Sequence, residues 1–328
     1  MNAWRTIALA LVWPFSSWGM LPDSSRPSPA IRIEGAAQGT TWHMIYTDGQ
    51  QRDFSRQVDS ILAALDLCLS TYRTDSEVSA FNAFDDFRFQ SGHFYPVLQR
   101  SAEIYRATNG AFDPTVAPIT EAYRNGRRTG KPWLHQVDSL LQYVGFGYIA
   151  FDGETVHKNK PGVRLDFDAI AQGYTVDVLA RWLEAQGVQA YVAEVGGELR
   201  CRGSHTVSIE NPAQPGEEVL QLRLHDAAIA TAGNYRNFYV QNGQTHRHII
   251  HPKTGLAKPD SLLSATVVAA DAITADGFDT ALLAMGFEES RKLLAREPSL
   301  DACLVYRKAD GSLGIFLTER LKAMVVSK

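Results

Sequence analysis

Cysteine is scarce in this 328-residue chain: Cys68, Cys201 and Cys303 stand far apart and none belongs to a CxxC pair. That excludes a clustered zinc site and a disulfide framework, and predicts three buried small apolar side chains. Excess positive charge is lacking too. With 32 Lys and Arg against 36 Asp and Glu the net charge is −4, and no basic run offsets it, so the chain has no electrostatic footprint for nucleic acid. No Gly/Ser or Pro-rich linker divides the sequence and no internal repeat recurs, which points to one large domain.

A long hydrophobic run is also missing. The apolar stretch Thr6 to Phe15 follows Met1 and Arg5 and precedes Ser16 and Ser17. It falls short of the roughly twenty residues that span a bilayer as a helix, and its order is that of a secretory signal. No Cys follows it, so a lipid anchor at that point is excluded. We therefore expect a signal peptide over 1–20, a flexible leader over 21–30 and the folded domain over 31–328. Such a protein is exported and periplasmic, with association to the inner membrane left open.

What the chain has is ample core material, 45% hydrophobic residues, in mixed patterns. Alternation over 31–47, broken at GAAQGT (35–40), predicts two strands and a tight turn. Val58, Ile61, Leu62, Leu65 and Leu69 share one helical face in 54–69, and a second helix over 95–108 is expected to end at Asn109-Gly110. LSTYRTDSEVSAFN (69–82) is expected to be a loop with polar caps. YIAF and VRLDF (163–167) predict short strands with hairpin turns at Asp152-Gly153 and Pro161-Gly162. A helix over 169–186, strands near 190–195, 205–212, 227–233 and 262–270, and helices over 272–285 and 288–296 follow. Strands and helices do not alternate regularly, so the expected class is α+β, a single large mixed domain.

Several segments have the composition of a ligand site. In ADGFDTAL (275–282), Asp276 and Thr280 are four residues apart on one helical face, and their hard oxygens suit Mg²⁺ bridged to phosphate. Asp279 is a further ligand or a base. A capped helix with Asp271 and Asp276 at its start would explain the same letters. RLDFDAIAQGYTVD (164–177) sets Asp166 and Asp168 before a helix whose Gly173 allows close approach to a ligand, though a capped junction reads alike. GAFDPTVAP (110–118) is a stiff loop offering an aromatic ring and Asp113. HRHIIHPKTG (246–255) contains three histidines, but strand-like surroundings send His248 and His251 to opposite faces, against a zinc site.

Taken in order, GAAQGT, LSTYRTDSEVSAFN, GAFDPTVAP, RLDFDAIAQGYTVD, EVGGELR, ATAGNYRN, HIIHPKTG and ADGFDTAL resemble the motif series of the ApbE family, the FAD:protein FMN transferases. The likeness spans about residues 33–290. It implies Mg²⁺ held by Asp276, Thr280 and the main-chain carbonyl of Ala169. It also implies an FAD pocket with Tyr72, Ala111, Phe112, Asp113, Asp166, Gln172, His248 and Ile249, to which Gln38 is added at the flavin. The implied reaction is attack by a Thr or Ser hydroxyl of an acceptor flavoprotein, an exported or membrane redox subunit, on the FMN phosphorus with release of AMP. His248 or Asp279 would take the proton. Three positions depart from the family pattern: Gln38 stands for Met, Ala232 for Ser and His251 for Asp. An FAD pyrophosphatase using water, and a non-catalytic FAD-binding protein, would draw on the same residues.

Overall fold

The computed structural model describes residues 29–131, 133–214, 216–233, 238–241, 244–258 and 261–327. The expected signal segment and leader residues 21–28 lie outside the described residues. Eight strands form one antiparallel sheet in chain order: Ala30–Ala37, Thr40–Thr47, Tyr191–Val195, Glu198–Arg202, Ala228–Gly233, Leu262–Ala269, Asp301–Arg307 and Leu313–Leu317. Chain-order antiparallel pairing with helices inserted between strands is an α+β arrangement, as expected. The first hairpin turns on Gln38 and Gly39, with φ of 53° and 72°. Both are left-handed, the geometry that matches strand twist in a two-residue loop.

Side chains alternate between the two faces of a strand, and here both faces are covered. Ala228, Ala230, Ala232, Ala265 and Val267 pack with the helices on one face. Ile229, Val268, Cys303 and Val305 pack on the other, against a small sheet of Ser204–Glu210, Glu218–His225 and Val325–Ser327. Double burial accounts for the near-continuous apolar runs AAIATAG and LLSATVVAA. The alanines on the helix side let the Ala272–Met285 helix lie close to the sheet, and that helix is buried on most of its surface. It is flanked by helices Ala171–Ala185 and Phe94–Ala107. All three cysteines are buried and free. Among the described residues, no helix is long and apolar enough to cross a membrane.

Two local expectations are corrected. The 69–82 stretch is only partly loop, because Ser76 accepts from Ser79 N at 3.1 Å and caps a helix, Glu77–Ala83. Val78 and Phe81, three residues apart, are buried and anchor it. VRLDF is extended but is no strand: Asn82 replaces a neighbouring strand by bonding both Leu165 N (2.7 Å) and Leu165 O (2.8 Å). Asp166 N bonds Pro114 O at 2.8 Å, which ties the segment to the Asp113 loop instead of to a ladder. Pro161-Gly162 is therefore a turn without a hairpin.

Candidate active site

The Glu198–Arg202 strand pairs with Ala228–Gly233 only through Leu199 and Arg200. Beyond the Gly196-Gly197 turn the latter strand continues with Leu262–Ala269 on its other side but without this neighbour, leaving a notch in the sheet. A cleft of about 1430 Å³ opens there, and Gly196, Gly197, Thr231, Ala232 and Gly233 line it. Of the residues singled out from sequence, Tyr72, Ala111, Phe112, Asp113, Asp166, Ala169, Gln172, His248, Ile249, Asp276, Asp279 and Thr280 line the same cleft. Gln38 is not among the lining residues. Its side-chain amide donates to Thr175 Oγ1 at 2.9 Å and so joins the first hairpin to the Ala171–Ala185 helix. His251 also lies off the cleft lining, with its Nδ1 accepting from Lys253 N at 3.2 Å, whereas Ala232 is on it.

The floor of the cleft is set by the contact of two helices. Gly173 is pressed so closely on the Ala272–Met285 helix that a Cβ there would come within 2.3 Å of Ala272 O and 2.7 Å of Asp276 Cβ. Only glycine fits, and its N–H donates to Asp276 Oδ2 at 2.7 Å. The start of that helix is capped twice. Asp271 accepts from Thr274 N at 3.1 Å, and the fully buried Asp177 accepts from Ala272 N (3.0 Å) and Ile273 N (2.9 Å). Arg200 donates to Asp177 at 2.8 Å, compensating its charge. Asp177 thus fixes the register of the helix that carries Asp276, Asp279 and Thr280; the capping explanation of ADGFDTAL holds for Asp271 but not for Asp276.

Beside Asp276 lie Asp279 and Glu198, both buried. Among the described residues Asp279 Oδ1 and Glu198 Oε2 have no hydrogen-bond donor. Burial raises the pKa of Asp276 to about 7. Burial first, then the charge of Asp276 and of Glu198, pushes Asp279 well up. Glu198 is pushed up by burial and then by Asp276. Among the described residues no Lys or Arg figures in the groups acting on these three. Such oxygens fit a hard cation. Among the described residues no three His, Cys, Asp or Glu side chains are grouped to enclose an ion. The floor therefore offers partial coordination, which is what Mg²⁺ accepts when phosphate and water supply the rest.

The rim differs in that it has a cation of its own. Arg124 pairs with Asp166 and lies 3.4 Å from Asp168. Thr120 Oγ1 donates to Asp166 Oδ2 at 2.7 Å, and Asp166 Oδ1 accepts from Asp168 N at 3.0 Å. Tyr72, 72% exposed, donates its hydroxyl to Asp168 at 3.0 Å, and the Arg124 guanidinium lies 5.1 Å from its ring centroid. An exposed ring backed by an arginine is a platform for a flat aromatic ligand. Asp113 accepts from Thr115 N (2.8 Å), Thr115 Oγ1 (2.5 Å) and Phe146 N (3.1 Å), which stiffens its loop. Burial nevertheless raises its pKa to about 6.

Glu198, Arg124, Thr120 and Asp177 escaped the sequence analysis. Glu198 directly follows Gly196-Gly197, a turn signal that could have marked it. Arg124 and Thr120, one helical turn apart in Ala117–Thr129, belong to no recognisable pattern.

Residues 38–304 match the ApbE family. The chain is 31% identical to the FAD:protein FMN transferase of Haemophilus influenzae, over 89% of this chain and 90% of that protein. It is 30% identical to that of Vibrio cholerae, over 89% and 92%. The solved flavin transferase ApbE of Vibrio cholerae superposes with a TM-score of 0.81 at 27% identity, covering 91% of this chain and all of that one. The apo flavinyl transferase ApbE of Pseudomonas stutzeri gives 0.81 at 27%, covering 90% and 96%. With the family match spanning most of the sequence and the fold shared throughout, this chain belongs to the ApbE family.

Proposed function

We propose that this chain is an FAD:protein FMN transferase that moves the FMN half of FAD to a Thr or Ser hydroxyl of an acceptor protein and releases AMP. The observation that carries it is the uncompensated acidic floor, Glu198, Asp276 and Asp279, within a cleft that also offers the Tyr72 platform. Asp276, Thr280 and the Ala169 carbonyl would hold Mg²⁺, with Asp279 and Glu198 nearby. Bound there, the ion supplies neutralisation of the charge that builds on the phosphoanhydride oxygens.

The chain's own residues do the rest. Tyr72 and the Phe112 loop grip the aromatic parts of FAD. Gly173 and Asp177 hold Asp276 in register. The acceptor oxygen forms a bond to the FMN phosphorus, the bond from that phosphorus to the bridging oxygen breaks, and AMP leaves with that oxygen. The hydroxyl proton passes to Asp279 Oδ1, which has no donor among the described residues, or to His248 in the same cleft. The signal-like segment 1–20 supports an exported, periplasmic setting, with an exported or membrane redox subunit as acceptor.

Incubation with FAD, Mg²⁺ and a candidate acceptor protein is expected to yield equal amounts of AMP and of acceptor carrying covalent FMN. Free FMN and AMP without labelled acceptor would replace the transferase with a pyrophosphatase. FAD recovered intact would leave only a flavin-binding protein.

A further inference from the structure

Glu194 and His43 lie off the lining of the cleft, yet they meet the turn that forms part of it. Glu194 is buried in the Tyr191–Val195 strand and pairs directly across with His43 of the Thr40–Thr47 strand. A carboxylate oxygen only accepts, so His43 donates from Nδ1 to Glu194 Oε2, at 2.7 Å. The other oxygen, Oε1, accepts from Gly197 N at 2.7 Å. Both oxygens are engaged, whereas Glu198 keeps Oε2 without a donor among the described residues.

The turn needs such an anchor. Gly196 and Gly197 have φ of 67° and 117°, and glycine loses more conformational freedom on ordering than any other residue. The chain holds each by its N–H: Gly196 N donates to Thr41 O at 3.0 Å, and Gly197 N to Glu194. Neither amide is left to grip a ligand, so the turn serves as a fixed piece of the lining. The residue that follows is Glu198, opposite Val195 in the ladder, and it lines the cleft with Asp276 and Asp279. A shift of the turn therefore passes directly to that carboxylate.

Resting on the transferase reading, we propose that Glu194, oriented by His43, is a positioning residue for the reaction: its bond to Gly197 N fixes the turn that presents Glu198 to the floor. Glu194 itself stays behind the cleft surface and acts through Glu198. A displacement of about 1 Å at a working group costs up to about a hundredfold in rate, which is the scale such a support guards against.

The full chain with FAD, Mg²⁺ and a candidate acceptor is assayed for AMP release and acceptor labelling. Glu194→Leu keeps apolar packing at a buried strand position but offers Gly197 N no acceptor. It is expected to lower kcat for AMP release by about tenfold or more, while KM for FAD moves less than about threefold because Tyr72 and the Asp113 loop are untouched. Glu194→Gln recovers most of that loss, since its amide oxygen accepts from Gly197 N and its NH2 donates to the other tautomer of His43. His43→Ala, at a half-buried site, lowers kcat by about twofold to fivefold and serves if Glu194→Leu does not fold. In a Glu198→Gln background, Glu194→Leu adds little further loss. Without FAD, hydrogen exchange at the Gly197 amide quickens in Glu194→Leu and in His43→Ala. Unchanged kcat in both variants, a Gln variant as slow as the Leu one, losses that add in full to that of Glu198→Gln, or unchanged exchange overturns the positioning role. Absence of acceptor labelling from the unmutated protein overturns the transferase reading instead, and the exchange measurement still decides whether Glu194 holds the turn.

Discussion

The floor and the rim of the cleft are both built from carboxylates, yet they are opposites. At the rim, Asp166 and Asp168 share one cation, Arg124, and the hydroxyls of Thr120 and Tyr72, so their oxygens have donors within the protein. At the floor, Glu198, Asp276 and Asp279 face one another, and two of their buried oxygens have no donor. A buried carboxylate oxygen without a donor costs folding free energy, and the floor has two of them among the described residues, Asp279 Oδ1 and Glu198 Oε2. The rim's acids are held by donors of the protein; the floor's mainly face one another.

The comparison can be broken by mutation. Asp276→Ala is expected to lower AMP release from FAD by a hundred- to a thousand-fold, with circular dichroism unchanged, because the group removed acts on the developing charge. Retained turnover in that variant would remove the floor's assigned role. The next test concerns stability and has opposite signs at the two ends. Without Mg²⁺, Asp279→Asn should raise unfolding free energy by about 1–3 kcal/mol, since it relieves repulsion among buried acids. Asp166→Asn should lower it by about 1–3 kcal/mol, because Arg124 and Thr120 lose their acceptor. Urea denaturation of both decides the matter; equal signs would mean that floor and rim do not differ in the way described.

The smallest effect is on pH dependence. Asp113 has a folded pKa of about 6, above its ordinary value of 3.8, so between those values the folded state holds the extra proton. Its contribution to stability is present below about pH 4 and is lost as pH rises through about 6, by roughly 3 kcal/mol at most. Asp113→Asn removes this step. Its overall stability falls because the amide cannot satisfy both Thr115 and Phe146 N–H, but its stability should change less between pH 4 and 6 than that of the unmutated protein. Thermal unfolding across that range measures the slope.

Much of this was legible in the chain. The 3- and 4-residue spacing of apolar positions located the Ser55–Leu69, Phe94–Ala107 and Ala272–Met285 helices to within a residue or so, because a helical face must be apolar to be buried. VRLDF misled because an apolar run under a core reads alike whether its backbone partner is a strand or the single side chain of Asn82. Gln38 was assigned to the flavin from its place in a motif, whereas its side chain turns to Thr175.

By itself the sequence determined the α+β class, the helix that bears ADGFDTAL and the order of motifs that gather at one cleft, since these follow from local periodicity and residue type. Only the tertiary structure decided which carboxylates are compensated. Asp166 and Asp276 are the same residue type in similar motifs, but one meets an arginine 42 residues away and the other meets two more acids. That outcome depends on which helices and strands pack together, and no local pattern carries it.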